Sequence, residues 1–223
     1  MPADQRLLRV EFHCHTIYSK DSLTTIEQLL AVCRRRGIDR VVVTDHNTTA
    51  GALAARAVDP ERVIVGEEVL TTEGELLAAY VREEVPAGLP PLEAIERLRS
   101  QGAFISVSHP FDLTRGANWA PGTLEAIAPL VDAVEVFNSR CLPRRFNRQA
   151  AEFAAAHGLP GTVGSDAHTL PEYGRATLLL PEFEDAESLK RALPAARTEA
   201  RSSGLGVRLG SRYAVLKKNL TRR

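Results

Sequence analysis

Val10-Glu11-Phe12-His13-Cys14-His15-Thr16 is where this chain stops reading as packing and starts reading as chemistry. Val10–His13 has the pattern of a short strand, and two imidazoles follow at a spacing of two. On a continuing strand, residues i and i+2 point to the same face. His13 and His15 could therefore hold one ion between them, with Cys14 turned away. A neutral imidazole offers a nitrogen lone pair, which makes histidine the commonest metal-binding side chain. Two hydrogen-bonded, inert histidines at a strand end would give the same pattern, so the rest of the chain must decide.

Working outward, the polar turn Asp21-Ser22-Leu23-Thr24 leads to a capping box, Thr24 with Glu27, that predicts a helix start. Ile26, Leu29, Leu30 and Cys33 give that helix one apolar face. Arg34-Arg35-Arg36-Gly37 closes it. The triplet invites a phosphate-binding reading, but cations in a last helical turn are more simply partners of the helix dipole. Val41-Val42-Val43 is a continuous apolar run, as in a strand of a parallel sheet buried on both faces, and it ends at Thr44-Asp45-His46. A helix capped by Thr48 or Thr49 runs through Ala57. Val63-Ile64-Val65 is a third strand, ending at Gly66-Glu67-Glu68 and pairing as a hairpin with Glu75–Val81. A helix from Pro91 precedes Phe104–Ser108, which ends at His109-Pro110. A helix over Gly122–Leu130 precedes Ala133–Phe137, which ends at Asn138-Ser139-Arg140. The helix Arg144–His157 then precedes Thr162–Gly164, which ends at Ser165-Asp166-Ala167-His168. A late helix spans Ala186–Leu193. This alternation of strand and helix describes one α/β domain with a largely parallel sheet.

In an α/β barrel, the loops after the strands' carboxyl ends build the site. Those ends carry His13 and His15, Asp45 and His46, Glu68, His109, Asn138 and Arg140, and Asp166 and His168. The hairpin sets Glu75 across from Glu68, and Asp21 lies in the loop after the first strand. Five of the six histidines fall in this set; His157 lies near a helix end and reads as surface. Carboxylates interleaved with imidazoles are costly to bury unless paired or metal-bound. The pattern therefore points to a site of two or three metals. Mixed imidazole and carboxylate ligands suit zinc, manganese or iron, and no cysteine cluster argues for thiolate ligation.

Composition excludes several alternatives. The 223 residues carry 28 basic and 28 acidic side chains, so nothing draws the whole chain to nucleic acid or membrane. The three scattered cysteines are too few for a disulfide framework, and no secretory leader or spanning segment is visible. A cytoplasmic protein with reduced thiols is expected. The charge is nevertheless uneven: from Arg197 onward, basic residues face the single acid Glu199.

Together these motifs resemble the PHP (polymerase and histidinol phosphatase) family. His13-Cys14-His15, Tyr18-Ser19-Lys20-Asp21-Ser22, Thr44-Asp45-His46, Gly66-Glu67-Glu68, Ser108-His109-Pro110 and Gly164-Ser165-Asp166-Ala167-His168 follow its ligand series in order. The resemblance implies a distorted (β/α)7 barrel with the metal site at the C-terminal ends of the strands. It also implies a metal-dependent phosphoesterase with two or three divalent ions (manganese, iron or zinc) in a trinuclear-type site. The implied ligands are His13, His15, Asp21, His46, Glu68, Glu75, His109, Asp166 and His168, with Glu68 bridging. Two positions depart from the family: Glu11 stands where aspartate is frequent, and Glu75 where histidine is frequent. Residues 1–196 would form the hydrolase domain, and 197–223 a basic segment packed on it or extending from it.

The implied reaction is hydrolysis of a phosphomonoester or phosphodiester by metal-activated hydroxide, with a nucleotide or short oligonucleotide favoured as substrate. Glu68, His109 and His168 are the candidate catalytic groups, the histidines as proton donors to the leaving oxygen. Arg140 is the first candidate for gripping phosphate and Arg115 the second, because a guanidinium binds two oxygens at once. Asn138, Arg144 and Arg145 complete the candidate substrate contacts. Asp45 is expected to orient an imidazole. No membrane and no obligate protein partner is expected. Two other readings compete: a non-catalytic metal module, and a related hydrolase acting on a C–N bond.

Overall fold

The computed structural model describes residues 6–204 and 206–221. Residues 1–5, on which part of the leader expectation falls, and Arg222 and Arg223 of the basic segment lie outside the described residues.

Seven strands follow one another around the sheet: β1 (Leu8–Glu11), β2 (Arg40–Val43), β3 (Val63–Leu70), β4 (Glu75–Ala79), β5 (Phe104–Val107), β6 (Ala133–Asn138) and β7 (Gly161–Gly164). All neighbouring pairs are parallel except those made by β4, which runs antiparallel to both β3 and β5. The hairpin stands where a regular barrel has a crossover helix, and this is the distortion. Beyond the named strands, Cys14 bridges Ala167 in parallel register, with His15 N–H donating to the Ala167 carbonyl at 2.8 Å. That bridge joins the first strand to the seventh at the carboxyl-end mouth. The fold is a distorted (β/α)7 barrel.

Alternation along the strands sorts the core into two layers. Val41 and Val43 face outward, onto the helices α1 (Ile26–Arg35) and α2 (Ala50–Val58). Val42 joins Val10, Phe12, Ile64, Phe104, Ala133 and Val163 in a separate apolar cluster inside the barrel. Leu189 of α6 (Ala186–Ala192) and Phe183 pack into that cluster from outside the strand set. The remaining helices, α3 (Pro91–Ser100), α4 (Pro121–Ile127) and α5 (Arg144–Ala156), lie between the strands where the sequence places them.

Three differences from expectation have physical causes. The first helix is capped by Thr25 with Gln28, not Thr24 with Glu27, because the Thr24 side chain is buried and turned to the His168 carbonyl. The stretch before α6 holds a strand where none is expected: β8 (Ala176–Leu180) pairs antiparallel with the outer edge of β1. The segment from Arg197 begins as β9 (Arg197–Ala200), paired with β8, and ends as α7 (Val207–Thr221). It is therefore structured, and it continues the same sheet. Among the described residues, no helix is long and apolar enough to cross a membrane.

Glu67, on β3, is fully buried, with one carboxylate oxygen accepting from Val85 N–H at 3.0 Å and the other without a partner among the described residues. Burial pushes its pKa from 4.5 up to about 7. The folded chain thus holds a proton that the unfolded chain releases, so stability is lost as pH rises from 4.5 to about 7. Glu67→Gln is expected to be more stable than the parent near pH 8, by roughly 3 kcal/mol, with the gap closing toward pH 5. Urea denaturation at the two pH values measures this.

Candidate metal centre

Every residue of the implied ligand set reaches one space at the barrel mouth. His13 and His15 lie on the continuation of β1, and their Nε2 atoms are 3.1 Å apart. Asp166 and His168 enter from the segment bridged to it. Glu68 projects from β3 with its two oxygens facing different partners. Oε1 is 3.3 Å from both His13 Nε2 and His109 Nε2, while Oε2 is 2.9 Å from His46 Nδ1 and 3.4 Å from His15 Nε2. Asp166 Oδ1 is 3.3 Å from His15 Nε2 and 3.6 Å from His13 Nε2. Asp21 sits 3.0 Å from His168 Nε2 and 3.6 Å from His46 Nε2. Glu75 is 3.5 Å from His109 Nε2; its strand register sets it opposite Leu70, one pleat along from Glu68 rather than directly across. The inner ligands are sealed, whereas His46, Asp21 and Glu75 keep 15–19% of their side-chain surface exposed. The centre therefore opens toward solvent on that side.

Hydrogen bonds behind the imidazoles fix which nitrogen each one presents. His13 Nδ1 donates to Glu135 Oε1 at 2.9 Å, leaving Nε2 for the centre. His15 Nδ1 meets Ser19 Oγ at 3.1 Å, and that hydroxyl donates to Asp45 at 2.6 Å. Asp45 thus acts on an imidazole through Ser19 and not directly; it also accepts from Thr16 N–H. His168 Nδ1 donates to the Asp166 carbonyl at 2.8 Å. Glu135 was absent from the expected set. It braces His13, accepts from His109 N–H at 2.9 Å and accepts from Asn138 Nδ2 at 3.1 Å. A carboxylate inside the apolar strand Ala133-Val134-Glu135-Val136-Phe137 was its sequence signal, since such a group is costly to bury without partners. Room for the pair comes from Gly164: a Cβ there would lie 2.3 Å from His13 Cβ and 2.4 Å from Glu135 Oε1.

The electrostatics fit cations. Asp21 Oδ1, His109 Nε2 and Asp166 Oδ1 are buried and have no hydrogen-bond partner among the described residues, yet all three aim into the same space. Burial opposes charge on His13, but Glu68, Glu135 and Asp166 hold its pKa well above the usual range. Burial and the neighbouring His168 and His46 hold His15 well below it. Burial opposes charge on Asp166 and Glu68 as well, but Arg115 and His13 hold Asp166 down, and His13 and His46 hold Glu68 down. Burial and the adjacent Glu68 raise Glu75. Three groups of donor atoms lie close enough to share an ion: His15, His46 and His168; His13, His15 and Glu68; and His46, Glu68 and Glu75.

The expected phosphate contacts divide. Arg115 reaches the centre, ion-paired to Asp166 Oδ2 and 3.1 Å from Asp112, with 19% of its side chain exposed. Asn138 is buried and donates to Glu135 and to Asp166 Oδ2, so it orients ligands and does not face solvent. Arg140 is corrected. Its guanidinium is buried and forked onto Glu172 at 2.6 and 3.1 Å, with a further bond to Ser211 Oγ on α7. Glu172 in turn accepts from His168 N–H at 3.2 Å. Arg144 and Arg145 are exposed on the first turn of α5, and Arg145 stacks over Phe146. Neither makes a contact in the centre among the described residues.

A seven-stranded α/β barrel with carboxylates and imidazoles converging at its mouth defines a metal-dependent hydrolase. Residues 11–87 match the PHP domain model, and residues 144–198 match the PHP-associated model. Uncharacterized protein MJ0417 of Methanocaldococcus jannaschii is 37% identical over 179 residues, covering 79% of this chain and 72% of that one. Phosphoribosyl 1,2-cyclic phosphate 1,2-diphosphodiesterase of Eggerthella lenta is 35% identical over 86 residues, 34% of this chain and 32% of its own length. PsfC from Pseudomonas syringae PB-5123 shares the fold, with a TM-score of 0.66 at 16% identity, covering 97% of this chain and 98% of that one. The chain belongs to the PHP family, and it is an enzyme, a metal-dependent hydrolase of phosphoric esters.

Two outcomes test this geometry. Gly164→Ala is expected to push His13 off Glu135 and lower the metal content of the purified protein, read by elemental analysis, while Gly122→Ala on the surface leaves it unchanged. Arg140→Ala strands Glu172 in the interior, at a cost of roughly 3–5 kcal/mol and a fall in Tm on the order of 10 °C. A KM effect without that fall would return Arg140 to the substrate.

Proposed function

We propose that this enzyme hydrolyses a phosphate ester of a nucleotide or short oligonucleotide, with His13, His15, Asp21, His46, Glu68, Glu75, His109, Asp166 and His168 holding two or three divalent ions. The observation that carries this reading is Arg115: a phosphate-type guanidinium stands at the rim of a carboxylate–imidazole centre, anchored on a ligand of that centre. When bound, paired divalent ions lower the pKa of water toward neutrality and clamp the ester oxygens.

The chain's own groups supply the rest. Glu68 sends one oxygen to each side of the centre, as a bridging carboxylate must. Asp166 gives Oδ1 to the ligand cluster and Oδ2 to Arg115 and Asn138, so one carboxylate ties the ligands to the arginine. Arg115 then offsets charge on the phosphoryl oxygens. His168 has Nδ1 committed to a carbonyl and Nε2 beside Asp21, which supports a ligand role over a catalytic one. His109 Nε2, which makes no hydrogen bond among the described residues, is taken up in the same way, so the leaving oxygen draws its proton from solvent on the open side of the centre. Glu75, a harder donor than histidine, favours manganese or iron over zinc at its position.

One feature supports an extended, acidic substrate. Helix α7 contains Arg208, Arg212, Lys217 and Lys218 and no acid, and it packs beside the mouth. Lys218 donates to the carbonyls of Ile17 and Ser19, and Arg208 reaches Thr114 Oγ1 at 3.0 Å. The Eggerthella relative is named for a phosphoribosyl cyclic phosphate, which supports phosphodiester hydrolysis but says nothing of substrate length.

Release of phosphate from nucleotides and sugar phosphates, and of nucleoside from dinucleotides, with added manganese and paired with elemental analysis, tests the proposal. Two or three ions per chain with turnover on nucleotide esters are expected; turnover confined to sugar phosphates would overturn the substrate class. Arg115→Gln should raise KM for phosphate esters at least tenfold while metal is retained. Loss of metal instead would reduce Arg115 to a brace for Asp166. Glu75→His should shift the preference in metal competition toward zinc.

A further inference from the structure

On the outer flank of the barrel, away from the metal centre, a cavity of about 380 Å³ is lined by Arg9, Arg36, Pro171, Gly174, Arg175 and Arg201, with no acid among them. The whole chain balances 28 basic against 28 acidic residues, so this concentration does not follow from overall charge. Its construction also opposes ordinary sheet pairing. Arg201 N–H donates to the Arg175 carbonyl one step beyond the Ala176–Ala200 pair, so two like charges stand directly across the β8–β9 ladder. Such a pair is destabilising unless something offsets it.

Arg36 converges on the same point. Its guanidinium is held by the carbonyls of Pro171 and Tyr173. Beside it, Gly174 has a φ of +73°, and a Cβ there would crowd Ile38 at 3.2 Å. Arg175 Nη1 is fixed by the Ser202 carbonyl at 3.1 Å, and its Nε is buried with no partner among the described residues. Of the four guanidiniums, Arg9 is ion-paired to Glu199, while carbonyls position Arg36 and Arg175 without neutralising them. Burial, with repulsion from Arg35, Arg175 and Arg201, lowers the pKa of Arg36.

We propose that this arginine cavity is a binding site for a small phosphorylated ligand, inorganic phosphate or a phosphate monoester, separate from the metal centre. Forked guanidiniums recognise phosphoryl oxygens bidentately, and the cavity volume lies within the range of small-molecule pockets. A bound dianion offsets the Arg175–Arg201–Arg36 repulsion. The lining residue Gly174 and its neighbour Tyr173 also contact the strand that carries His13 and His15. The Tyr173 hydroxyl donates to the His15 carbonyl at 2.6 Å, and Gly174 N–H donates to Glu11 at 2.8 Å.

The test is calorimetric titration of the metal-loaded protein with inorganic phosphate and, separately, with methylphosphonate as an uncleavable monoester mimic. Wild type is expected to bind one more equivalent of phosphate than Arg201→Gln or Arg175→Gln, or to bind that equivalent at least tenfold more tightly. Arg34→Gln, a charge loss on the neighbouring helix surface, should match wild type. Arg201 is exposed, so its variant should also keep the wild-type Tm without ligand. Methylphosphonate binding at the same equivalent identifies a monoester site, and phosphate binding alone identifies a site for the free ion. Wild-type stoichiometry and affinity in both arginine variants would overturn the proposal. So would a wild-type isotherm whose only phosphate equivalent disappears in His13→Ala.

Discussion

The carboxylate of Glu68 is the constraint around which the mouth of this barrel is arranged. It is 1% exposed, and a buried carboxylate is tolerated only where positive charge or donors surround it. Here Ser108 Oγ donates to one oxygen at 2.9 Å, and four imidazoles crowd the pair. The β3–β4 hairpin makes this possible. It extends β3 past the length of its parallel neighbour β2 and carries Glu68 to the level of the loops on either side.

Behind that carboxylate, neutral donors and acids hold the ligands in conformations they would not otherwise adopt. His109 and Asp166 have φ values of 23° and 52°, uncommon for residues other than glycine. Strain of this kind persists where the surroundings over-determine it. Glu135 accepts from the backbone of His109, while Arg115 and Asn138 fix the side chain of Asp166. Removing any one of these supports would relax the geometry before it removed a ligand.

The strand-end polar residues made the centre legible in the sequence, because their spacing coincides with the ends of apolar runs. The expected ligands converge. What escaped were groups whose role depends on long-range pairing. Glu135 looks like any residue of a strand until His13, far off in the chain, arrives beside it. Arg140 occupies the same strand-end position as the ligands, but Glu172 captures it first, a partner with no local signal. The capping box moved by one residue because Thr24 is drawn to the His168 carbonyl, a tertiary contact that overrides a local preference. β9 and α7 were hidden in a segment whose charge suggested solvation, although β9 needs only an edge, and β8 provides it.

The bridge between Cys14 and Ala167 has a consequence for how the protein comes into being. It joins strand ends more than 150 residues apart, and closure of that kind is the slow, entropically costly part of assembling a barrel. His13 and His15 lie on one side of the seam, Asp166 and His168 on the other. A nascent chain that has not yet delivered its seventh strand therefore lacks Asp166 and His168, two of the nine candidate ligands. Of the three groups of donor atoms close enough to share an ion, only that of His15, His46 and His168 waits for the ring to close. An ion held between His15 and His168 would span the seam and act as a latch on it.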